Sequence, residues 1–292
     1  MRITNIGSCC IDHVYSVPHF VMPGETLTST SYAIHPGGKG LNQSLALAKA
    51  GAEVHHAGMI GQDGVWLKER LEKFGVNTQC LAVINAPTGH ASIQINPEGE
   101  NAIVITGGAN RQIEAGDIQG WLAHIEPDNY VLIQNEISNL DAVFEASAAA
   151  KQRLIFNTAP MGSNVMDLPL EQVELFILNE IEAHAITGEN DPKHILAAMI
   201  ELYPAASTIL TLGAAGAIFK NRQEELHQSA IEAEVIDTTG AGDTFTGFFL
   251  AHYANKRPIA ECLSMAAKAA SICVARPGAA TSIPDLSEVM KL

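Results

Sequence analysis

The stretch that decides the fold is Asp237-Thr238-Thr239-Gly240-Ala241-Gly242-Asp243-Thr244, which lies late in the chain. It runs directly into Phe245-Thr246-Gly247-Phe248-Phe249-Leu250-Ala251. The length of that second run, and its mixture of small and apolar residues, are typical of a buried helix. The pattern therefore predicts a glycine-rich turn that opens into a helix packed inside the protein.

The start of this predicted helix has the chemistry of an anion site. The first N–H groups of a helix lack backbone partners, and the helix dipole places about half a positive charge there. Gly240, Ala241 and Gly242 leave those groups open to an approaching anion. The Asp243 carboxylate would repel an anion, so we interpret it as a general base beside a site of phosphoryl transfer. The alternative is a helix start in which Asp243 only stabilises the dipole.

The composition bounds the class of protein. The chain has 292 residues, of which 47% are hydrophobic, enough for one large α/β domain or two small ones. The formal net charge of −15 argues against nucleic acid or an anionic membrane as the main partner. A polyanionic substrate must therefore be held by backbone N–H groups, a metal ion and a few cationic side chains.

The cysteines and the first residues predict a cytoplasmic protein. The five cysteines are an odd number and include no C-x-x-C pair, so reduced thiols are the simplest interpretation. Cys9 and Cys10 are neighbours, and in a strand they would point to opposite faces. Residues 1–8 hold no apolar stretch of the kind found in signal peptides, and no apolar run in the sequence reaches membrane-spanning length.

From residue 130 onwards, short apolar runs alternate with helical stretches rich in Ala and Glu. The apolar runs are 130–134, 154–157, 175–179 and 208–213. This alternation is typical of parallel strands covered by helices on both faces. Polar and small residues stand just past the strand ends, at the edge where such a sheet binds ligands. They are Glu136, Asn157, Asn179, Glu182, Thr211, Gly213 and Gly216.

A second glycine-rich turn, Pro36-Gly37-Gly38-Lys39-Gly40-Leu41-Asn42-Gln43, also opens a helix, since Leu41, Leu45, Ala48 and Ala52 continue at helical spacing. It lacks the G-x-x-x-x-G-K-[ST] pattern of a Walker A loop. Its Gly, Lys and Asn donors suit a polyhydroxylated molecule. The alternative is a tight turn with a solvated lysine.

Two segments of short strands lie outside the regular alternation. Residues 26–31 are nearly all β-branched or hydroxylic, and 91–96 alternate apolar and polar residues before a turn into 102–105. We predict that segments of about 13–36 and 88–110 form a small β-layer that serves as a lid or a dimer surface.

Two acidic positions leave alternatives open. Asp12 follows the predicted first strand, 2–7, in an apolar setting, and it either caps a turn or projects into the ligand cleft. Asn179 and Glu182 are three residues apart on one face of a helix start. They either hold hydrated Mg²⁺ near phosphates or form an ordinary cap.

The whole chain resembles the ribokinase family of carbohydrate kinases, also called the PfkB family. Two signatures carry the resemblance, Gly37–Asn42 and Asp237–Asp243. Three further motifs occur in the family's order: Gly7-Ser8 with Asp12, Asn179 with Glu182, and Thr211–Gly216. Five ordered motifs are far more specific than one, and they favour the base role for Asp243.

The resemblance implies a single ribokinase-like domain over residues 1–292, a Rossmann-like three-layer α/β/α sandwich with a small β-sheet lid. It implies Asp243 as general base and an anion hole formed by Gly240, Ala241 and Gly242. The implied sugar-binding residues are Cys10, Asp12, Gly38, Lys39, Asn42, Glu136 and Asp243. The implied ATP-binding residues are Asn179, Thr211, Gly213, Ala214, Gly216 and Gly242, with Glu182 acting through Mg²⁺ and its waters. A K⁺ ion is implied at Asp237, Thr239, Cys273, Arg276, Gly278 and Ser282, at several of them through backbone oxygens.

The activity implied by the resemblance is phosphorylation of the 5-hydroxyl of D-ribose by ATP. The exposed-strand composition of the lid segments separately predicts a homodimer joined through the lid. The alternatives are a kinase for another sugar, such as deoxyribose or fructose, a nucleoside kinase, or a non-catalytic sugar or nucleotide sensor. The chain departs from the family at two positions. Cys10 stands where some members have an Asn able to contact the sugar, and Phe248 stands where a small residue is usual.

Overall fold

The computed structural model describes residues 2–123 and 125–292. The strands are β1 (Ile3–Ile6), β2 (Cys10–Ser16), β3 (Ser31–Gly37), β4 (Val54–Gly61), β5 (Asn77–Ile84), β6 (Gly89–Ile95), β7 (Asn101–Thr106), β8 (Tyr130–Gln134), β9 (Arg153–Asn157), β10 (Val173–Asn179), β11 (Ser207–Thr211), β12 (Ala217–Lys220) and β13 (Glu225–Gln228). The α-helices are α1 (Lys39–Lys49), α2 (Val65–Lys73), α3 (Ala115–Leu122), α4 (Leu140–Ala149), α5 (Glu180–Thr187), α6 (Pro192–Leu202), α7 (Ala241–Ala254), α8 (Ile259–Val274) and α9 (Leu286–Val289).

Nine strands form the large sheet, in the order β13-β12-β11-β10-β9-β8-β1-β4-β5. The neighbouring strands β5, β4, β1, β8, β9, β10 and β11 are parallel. Strands β12 and β13 extend the sheet in antiparallel pairing. From β1 the chain first builds outward through β4 and β5, and later returns on the other side of β1 as β8. The point between β1 and β8 is therefore the topological switch point, where the carboxyl ends of parallel strands leave a crevice for ligands.

Helices cover both faces of this sheet. On one face, Leu45 of α1, Phe249 of α7 and Leu263 of α8 belong to a single buried cluster. On the other face, Phe144 of α4 and Leu196 of α6 belong to a second buried cluster. The predicted three-layer α/β/α sandwich is confirmed.

Within the described part of the chain, the second sheet has four strands in the order β3-β2-β6-β7 and shares no strand pairing with the first. It corresponds to the two predicted segments outside the regular alternation, although β2 begins at Cys10, earlier than expected. The predicted hairpin is the antiparallel pair β6 and β7. Within residues 2–123 and 125–292, no helix combines the length and apolar content needed to cross a bilayer.

Local departures from the predictions lie near the start of the chain. The first strand spans Ile3–Ile6, shorter than predicted, because the chain turns at Gly7 and Ser8. Cys9 lies in the connection to β2 rather than in a strand, and its Sγ is 3.3 Å from His56 Nε2 in the core. All five cysteines are free thiols. Phe248 is completely buried in the core, so this departure from the family pattern is accommodated by packing.

Candidate active site

The N-termini of α1 and α7 meet because the two helices pack unusually closely. A Cβ on Gly247 of α7 would lie 2.3 Å from the Cβ of Ala46 of α1, so only glycine allows this approach. The contact brings Asp243, in the first turn of α7, over the first turns of α1. Asp243 is only 8% exposed. Its Oδ2 accepts a hydrogen bond from Asn42 Nδ2, and its Oδ1 accepts one from Gln43 Nε2, both at 2.9 Å.

The start of α7 presents open backbone donors beside this carboxylate. Among the described residues, no group accepts a hydrogen bond from the N–H of Gly240, Gly242 or Asp243. The N–H of Ala241 is engaged, since it donates to the Thr238 carbonyl at 3.2 Å. A Cβ added at Gly242 would meet no atom within 4 Å, so these N–H groups face open space. The open donors are thus those of Gly240, Gly242 and Asp243, rather than the predicted set that included Ala241.

A second helix in the chain begins with the same three residues. Ala115-Gly116-Asp117 opens α3 as Ala241-Gly242-Asp243 opens α7. Asp117 accepts a hydrogen bond from the Glu114 N–H at 2.9 Å and so closes a capping box on its own helix. Asp243 makes no such bond and is held by α1 instead. Asp117 therefore caps its own helix, whereas Asp243 contacts a second helix. The choice between a base and a residue that only stabilises the helix dipole stays a prediction.

Hydrogen bonds connect the residues that follow β1 and β8 at the switch point. Ser8, after β1, donates its hydroxyl to Glu136 Oε2, after β8. The same oxygen accepts the Lys39 N–H at 2.9 Å. Burial raises the pKa of Glu136, and the positive charge of Lys39 opposes that effect. Glu136 is thus a half-buried carboxylate with one oxygen fixed by the protein.

Asp12 is the third residue of β2 in the small sheet. Burial, and then the negative charge of Glu136, raise the pKa of Asp12 to about 7. Asp12 lies inside β2, opposite His35 of β3 and Ala91 of β6, so it is not part of a turn. Its role in the sugar cleft stays a prediction.

Asn42 carries an acceptor that nothing in the protein satisfies. It is 5% exposed, and its Oδ1 has no hydrogen-bond donor among the described residues. A buried acceptor without a donor costs about 1–3 kcal/mol. Because its Nδ2 donates to Asp243, this oxygen lies close to the proposed base. A hydroxyl group bound beside it would supply the donor that it lacks.

Lys39 is the cation that the acidic groups of the site share. The negative charges of Asp243, then of Glu136 and Glu182, raise the pKa of Lys39 even though its burial acts in the opposite direction. These are the three carboxylates predicted for the base, the sugar and the Mg²⁺. Gly38 precedes Lys39 and accepts the Asn42 N–H on its carbonyl at 3.0 Å, which fixes the start of α1.

Asn179 and Glu182 form a reciprocal cap at the start of α5. Asn179 Oδ1 accepts the Glu182 N–H at 2.9 Å, and Glu182 Oε2 accepts the Asn179 N–H at 3.0 Å. The capping alternative is therefore correct as geometry. However, Glu182 is 6% exposed rather than solvated. Burial raises its pKa, opposed by the bonds from Asn179 and the charge of Lys39. This carboxylate fits the part of an outer ligand of Mg²⁺, because its oxygens keep unused lone pairs.

The predicted nucleotide-binding turn follows β11. Thr211 is the last residue of β11, and Gly213 and Ala214 lie in a short 3₁₀ turn. The Leu212 N–H donates to the Gly216 carbonyl at 2.8 Å and closes the turn. Together with Asn179 at the end of β10, these residues line the carboxyl edge of neighbouring strands.

The two loops predicted to hold K⁺ are in direct contact. Asp237 accepts hydrogen bonds from the Thr239 N–H at 2.9 Å and from the Gly278 N–H at 2.8 Å. Although partial burial raises the pKa of Asp237, these bonds lower it overall. Among the described residues, no group donates to the carbonyl oxygens of Asp237, Arg276 or Gly278. Free carbonyl oxygens on two adjoining loops are suitable ligands for a monovalent cation.

The side chains of the other predicted K⁺ residues point elsewhere. Cys273 Sγ lies 3.0 Å from Ser282 Oγ, and Ser282 Oγ donates to the Ala279 carbonyl at 2.7 Å. The Arg276 guanidinium pairs with Glu288 at 2.5 Å. Any role of Cys273 and Arg276 in cation binding therefore falls to their backbone oxygens.

The sequence did not indicate the roles of two residues of the site. Gln43 is a partner of Asp243, and Ser8 is a partner of Glu136. Both stand inside quoted motifs, but no local signal separates them from their neighbours. Their partners lie 200 and 128 positions away in the chain.

Comparison with known proteins identifies the family of this chain. The family model described as pfkB family carbohydrate kinase matches residues 2–286. The chain belongs to the PfkB family of carbohydrate kinases. The expectation that it is a sugar kinase is thereby confirmed.

Three relatives illustrate the match. The chain is 33% identical to the ribokinase of Haemophilus influenzae, covering 99% of this chain and 97% of that protein. It is 33% identical to the ribokinase of Bacillus subtilis, covering 100% and 99%. It is 29% identical to the deoxyribokinase of Salmonella typhi, covering 99% and 97%.

Solved structures of PfkB-type kinases share the fold. The ribokinase of Cryptococcus neoformans var. grubii in complex with ADP superposes with a TM-score of 0.88 at 33% identity, over 99% of both chains. The Arabidopsis thaliana ribokinase complexed with ribose and ATP gives 0.85 at 29% identity, over 99% of this chain and 97% of that one. The predicted ribokinase-like architecture is confirmed.

Proposed function

We propose that this protein transfers the γ-phosphoryl group of ATP to the 5-hydroxyl of D-ribose. The observation that carries the proposal is the buried Asp243 carboxylate, fixed beside open N–H groups and beside the unsatisfied Asn42 oxygen. The ribokinase relatives, and the neighbour solved with ribose and ATP, support this choice of substrates.

In the proposed reaction, Asp12, Glu136 and Asn42 accept hydrogen bonds from the sugar hydroxyls and orient the 5-hydroxyl toward Asp243. Asp243 takes the hydroxyl proton as the oxygen attacks the γ-phosphorus, and the bond to the β-phosphate oxygen breaks to release ADP. The N–H groups at the start of α7 stabilise the negative charge that develops on the transferred group. Glu182 and Asn179 would hold Mg²⁺ through its waters, and the ion would supply positive charge against the phosphates.

The direct experiment is ADP release over a panel of ribose, deoxyribose, fructose, allose and nucleosides. We expect the highest kcat/KM with ribose. A nucleoside preferred over every free sugar would overturn the choice of substrate and leave the family assignment intact.

Cys10 favours deoxyribose as a second candidate. Burial, and then the charges of Glu136 and Asp12, raise the pKa of the Cys10 thiol, so it stays neutral. Its Sγ accepts only a long 3.5 Å contact from Asn110 Nδ2. A neutral thiol hydrogen-bonds weakly, so a sugar without one hydroxyl loses little beside it. If Cys10 relaxes the choice of sugar in this way, Cys10→Asn will raise the ratio of ribose to deoxyribose kcat/KM.

Sugar affinity is expected to rise with pH through about 7, the raised pKa of Asp12. The ionised carboxylate accepts sugar hydroxyls, so below this pH the site must first lose a proton. Because the raised pKa favours the protonated form, binding weakens as pH falls, by at most about tenfold per pH unit. Calorimetric Kd values for sugar alone at pH 6, 7 and 8 test this. The Asp12→Asn variant serves as control and should bind weakly with no pH dependence across the range.

Potassium is expected to raise kcat or lower the KM for ATP by about fivefold or more, the low end of coupling between sites. The free carbonyls of Asp237, Arg276 and Gly278 support a cation that ties both loops to the start of α7. Steady-state kinetics in Tris buffer with K⁺ or Na⁺ at matched ionic strength measure the effect. Equal rates in all buffers would refute it.

The matched pair for this test is Asp237→Ala and Asp191→Ala. Both aspartates accept a hydrogen bond at 2.9 Å from the N–H two residues on, but Asp191 caps α6 away from the loops. Only Asp237→Ala should abolish the response to K⁺.

The small sheet is proposed to join two copies of the chain and to close over the sugar. Tyr32 and Ile34 on β3, and Val104 and Ile105 on β7, are exposed on edge strands, Val104 to 71%. Exposed apolar edges require a partner or a cover. Sedimentation at micromolar protein should give a dimer that Val104→Glu shifts toward monomer. Met290→Glu, an equally exposed apolar residue outside the sheet, should not. A monomeric wild type with sugar and nucleotide present would contradict the pairing.

The five free thiols favour a reducing compartment, and they support the cytoplasm as the proposed location.

A further inference from the structure

Asp243 is held from behind by a side chain that cannot reach the cleft. Gln43 is completely buried, and its Nε2 donates to Asp243 Oδ1 at 2.9 Å. Its Oε1 accepts a hydrogen bond from Gln134 Nε2 at 2.7 Å. Gln43 therefore contacts the base without access to sugar or nucleotide.

The orientation of the Gln43 amide is dictated by a chain of hydrogen bonds that starts at a backbone carbonyl. The Gly40 carbonyl can only accept, so Asn5 presents Nδ2 to it, at 2.8 Å. Asn5 Oδ1 then faces Gln134 and accepts its Nε2 at 2.9 Å. The same Nε2 requires an acceptor on Gln43, so Gln43 turns its NH₂ group to Asp243.

This orientation is retained although it leaves a polar atom unpaired. Gln134 Oε1 is buried and has no donor among the described residues. Reversing the Gln134 amide would place its Oε1 opposite the oxygens of Asn5 and Gln43, and neither oxygen can donate a hydrogen bond to it. Buried acceptors without a donor are uncommon, and each one calls for a reason. Fixing the donor that faces Asp243 supplies that reason.

The two oxygens of Asp243 are consequently not equivalent. Oδ2 is bonded to Asn42, whose own Oδ1 awaits a donor and which lies in the sugar site. Oδ1 is bonded to Gln43, which no ligand can displace. We propose that Gln43 is a positioning residue for the reaction, which holds Oδ1 so that Oδ2 takes the proton from the sugar hydroxyl. This inference rests on the proposed function.

The test compares Gln43→Met and Gln43→Glu with Ser44→Ala. Gln43→Met keeps the side-chain length and removes the donor to Asp243. We expect kcat to fall about 10²-fold, as for a small misplacement of a reacting group, with KM for sugar and ATP within about threefold of wild type. Ser44→Ala is the control. It removes hydrogen bonds to Asn5 and His56 in the same buried network, without a contact to Asp243. Its kcat should stay within about threefold while Tm falls.

Gln43→Glu gives a readout that a purely structural role would not move. A protonated Glu can still donate to Asp243 Oδ1 and accept from Gln134, whereas an ionised Glu repels the base. The charged groups nearby, Lys39 and Glu136, are unchanged. We expect the ratio of this variant's kcat to the wild-type kcat to fall as pH rises.

The measurements use the best sugar of the substrate panel, with melting curves for each variant. A Gln43→Met enzyme within threefold of wild-type kcat, or a Gln43→Glu enzyme with the wild-type pH profile, would overturn the positioning role. If Gln43→Met fails to fold, the pH profile of Gln43→Glu decides alone. A wild-type protein that phosphorylates no sugar would instead overturn the proposed function, and this inference with it.

Discussion

Replacing Asp243 with asparagine lowers kcat by about 10²–10⁴-fold, the contribution expected of a general base, or about 3–5 kcal/mol. Asparagine has the same shape but cannot take the proton from the sugar hydroxyl. The fold should be kept, because Asn42 has a free Oδ1 and can turn to accept from the new NH₂ group. Coupled ADP-release kinetics and thermal melting measure both consequences.

The chain supplies a matched control for this change in Asp117→Asn. Asp117 stands at the same position of an identical Ala-Gly-Asp helix start, but it bonds only to its own helix. Its replacement should cost some cap stability, about 0.5–2 kcal/mol, and leave kcat intact. An Asp243→Asn enzyme within threefold of wild-type kcat would remove Asp243 from the base role.

Filling the space at the start of α7 should be nearly as damaging. In Gly242→Val the side chain enters the open space in front of the N–H groups of Gly242 and Asp243. Loss of one such donor lowers kcat by about 10²–10³-fold. Stability should change little, because a Cβ at Gly242 meets no atom of the protein.

Gly116→Val is the control for Gly242→Val. Gly116 is the second residue of α3, as Gly242 is of α7, and a Cβ there also meets no atom within 4 Å. Both changes alter helix propensity by the same small amount, since each replaces Gly with Val at the second position of a helix. If the two variants have equal kcat and equal KM for ATP, the start of α7 does not receive the phosphoryl group.

The parts of the fold that follow from local pattern were predictable. The apolar runs from residue 130 form strands, as predicted, because a strand buried on both faces is apolar at nearly every consecutive residue. The turns before α1 and α7 were visible from their glycines. The family motifs then brought Asp12, Asn42 and Asp243 into one expected site.

What could not be predicted depends on contacts between distant residues. Ala-Gly-Asp occurs at two helix starts, and nothing in those three residues tells which aspartate meets another helix. The engaged N–H of Ala241 and the bond from Gln43 to Asp243 exist only once α1 and α7 have packed. Likewise, the burial of Glu182 depends on its surroundings, although its cap was legible in the sequence.

The packing of α1 against α7 also determines when the active site can assemble during synthesis of the chain. Asn42 and Asp243 are 201 positions apart, so at about 5–20 residues per second roughly 10–40 s pass between their addition to the growing chain. During that interval the apolar side chains that α7 and α8 will cover lack those two helices. The proposed sugar-binding residues Asp12, Asn42 and Glu136 are thus synthesised before the proposed base, Asp243. A nascent chain can therefore become active only after residue 243 has emerged from the ribosome.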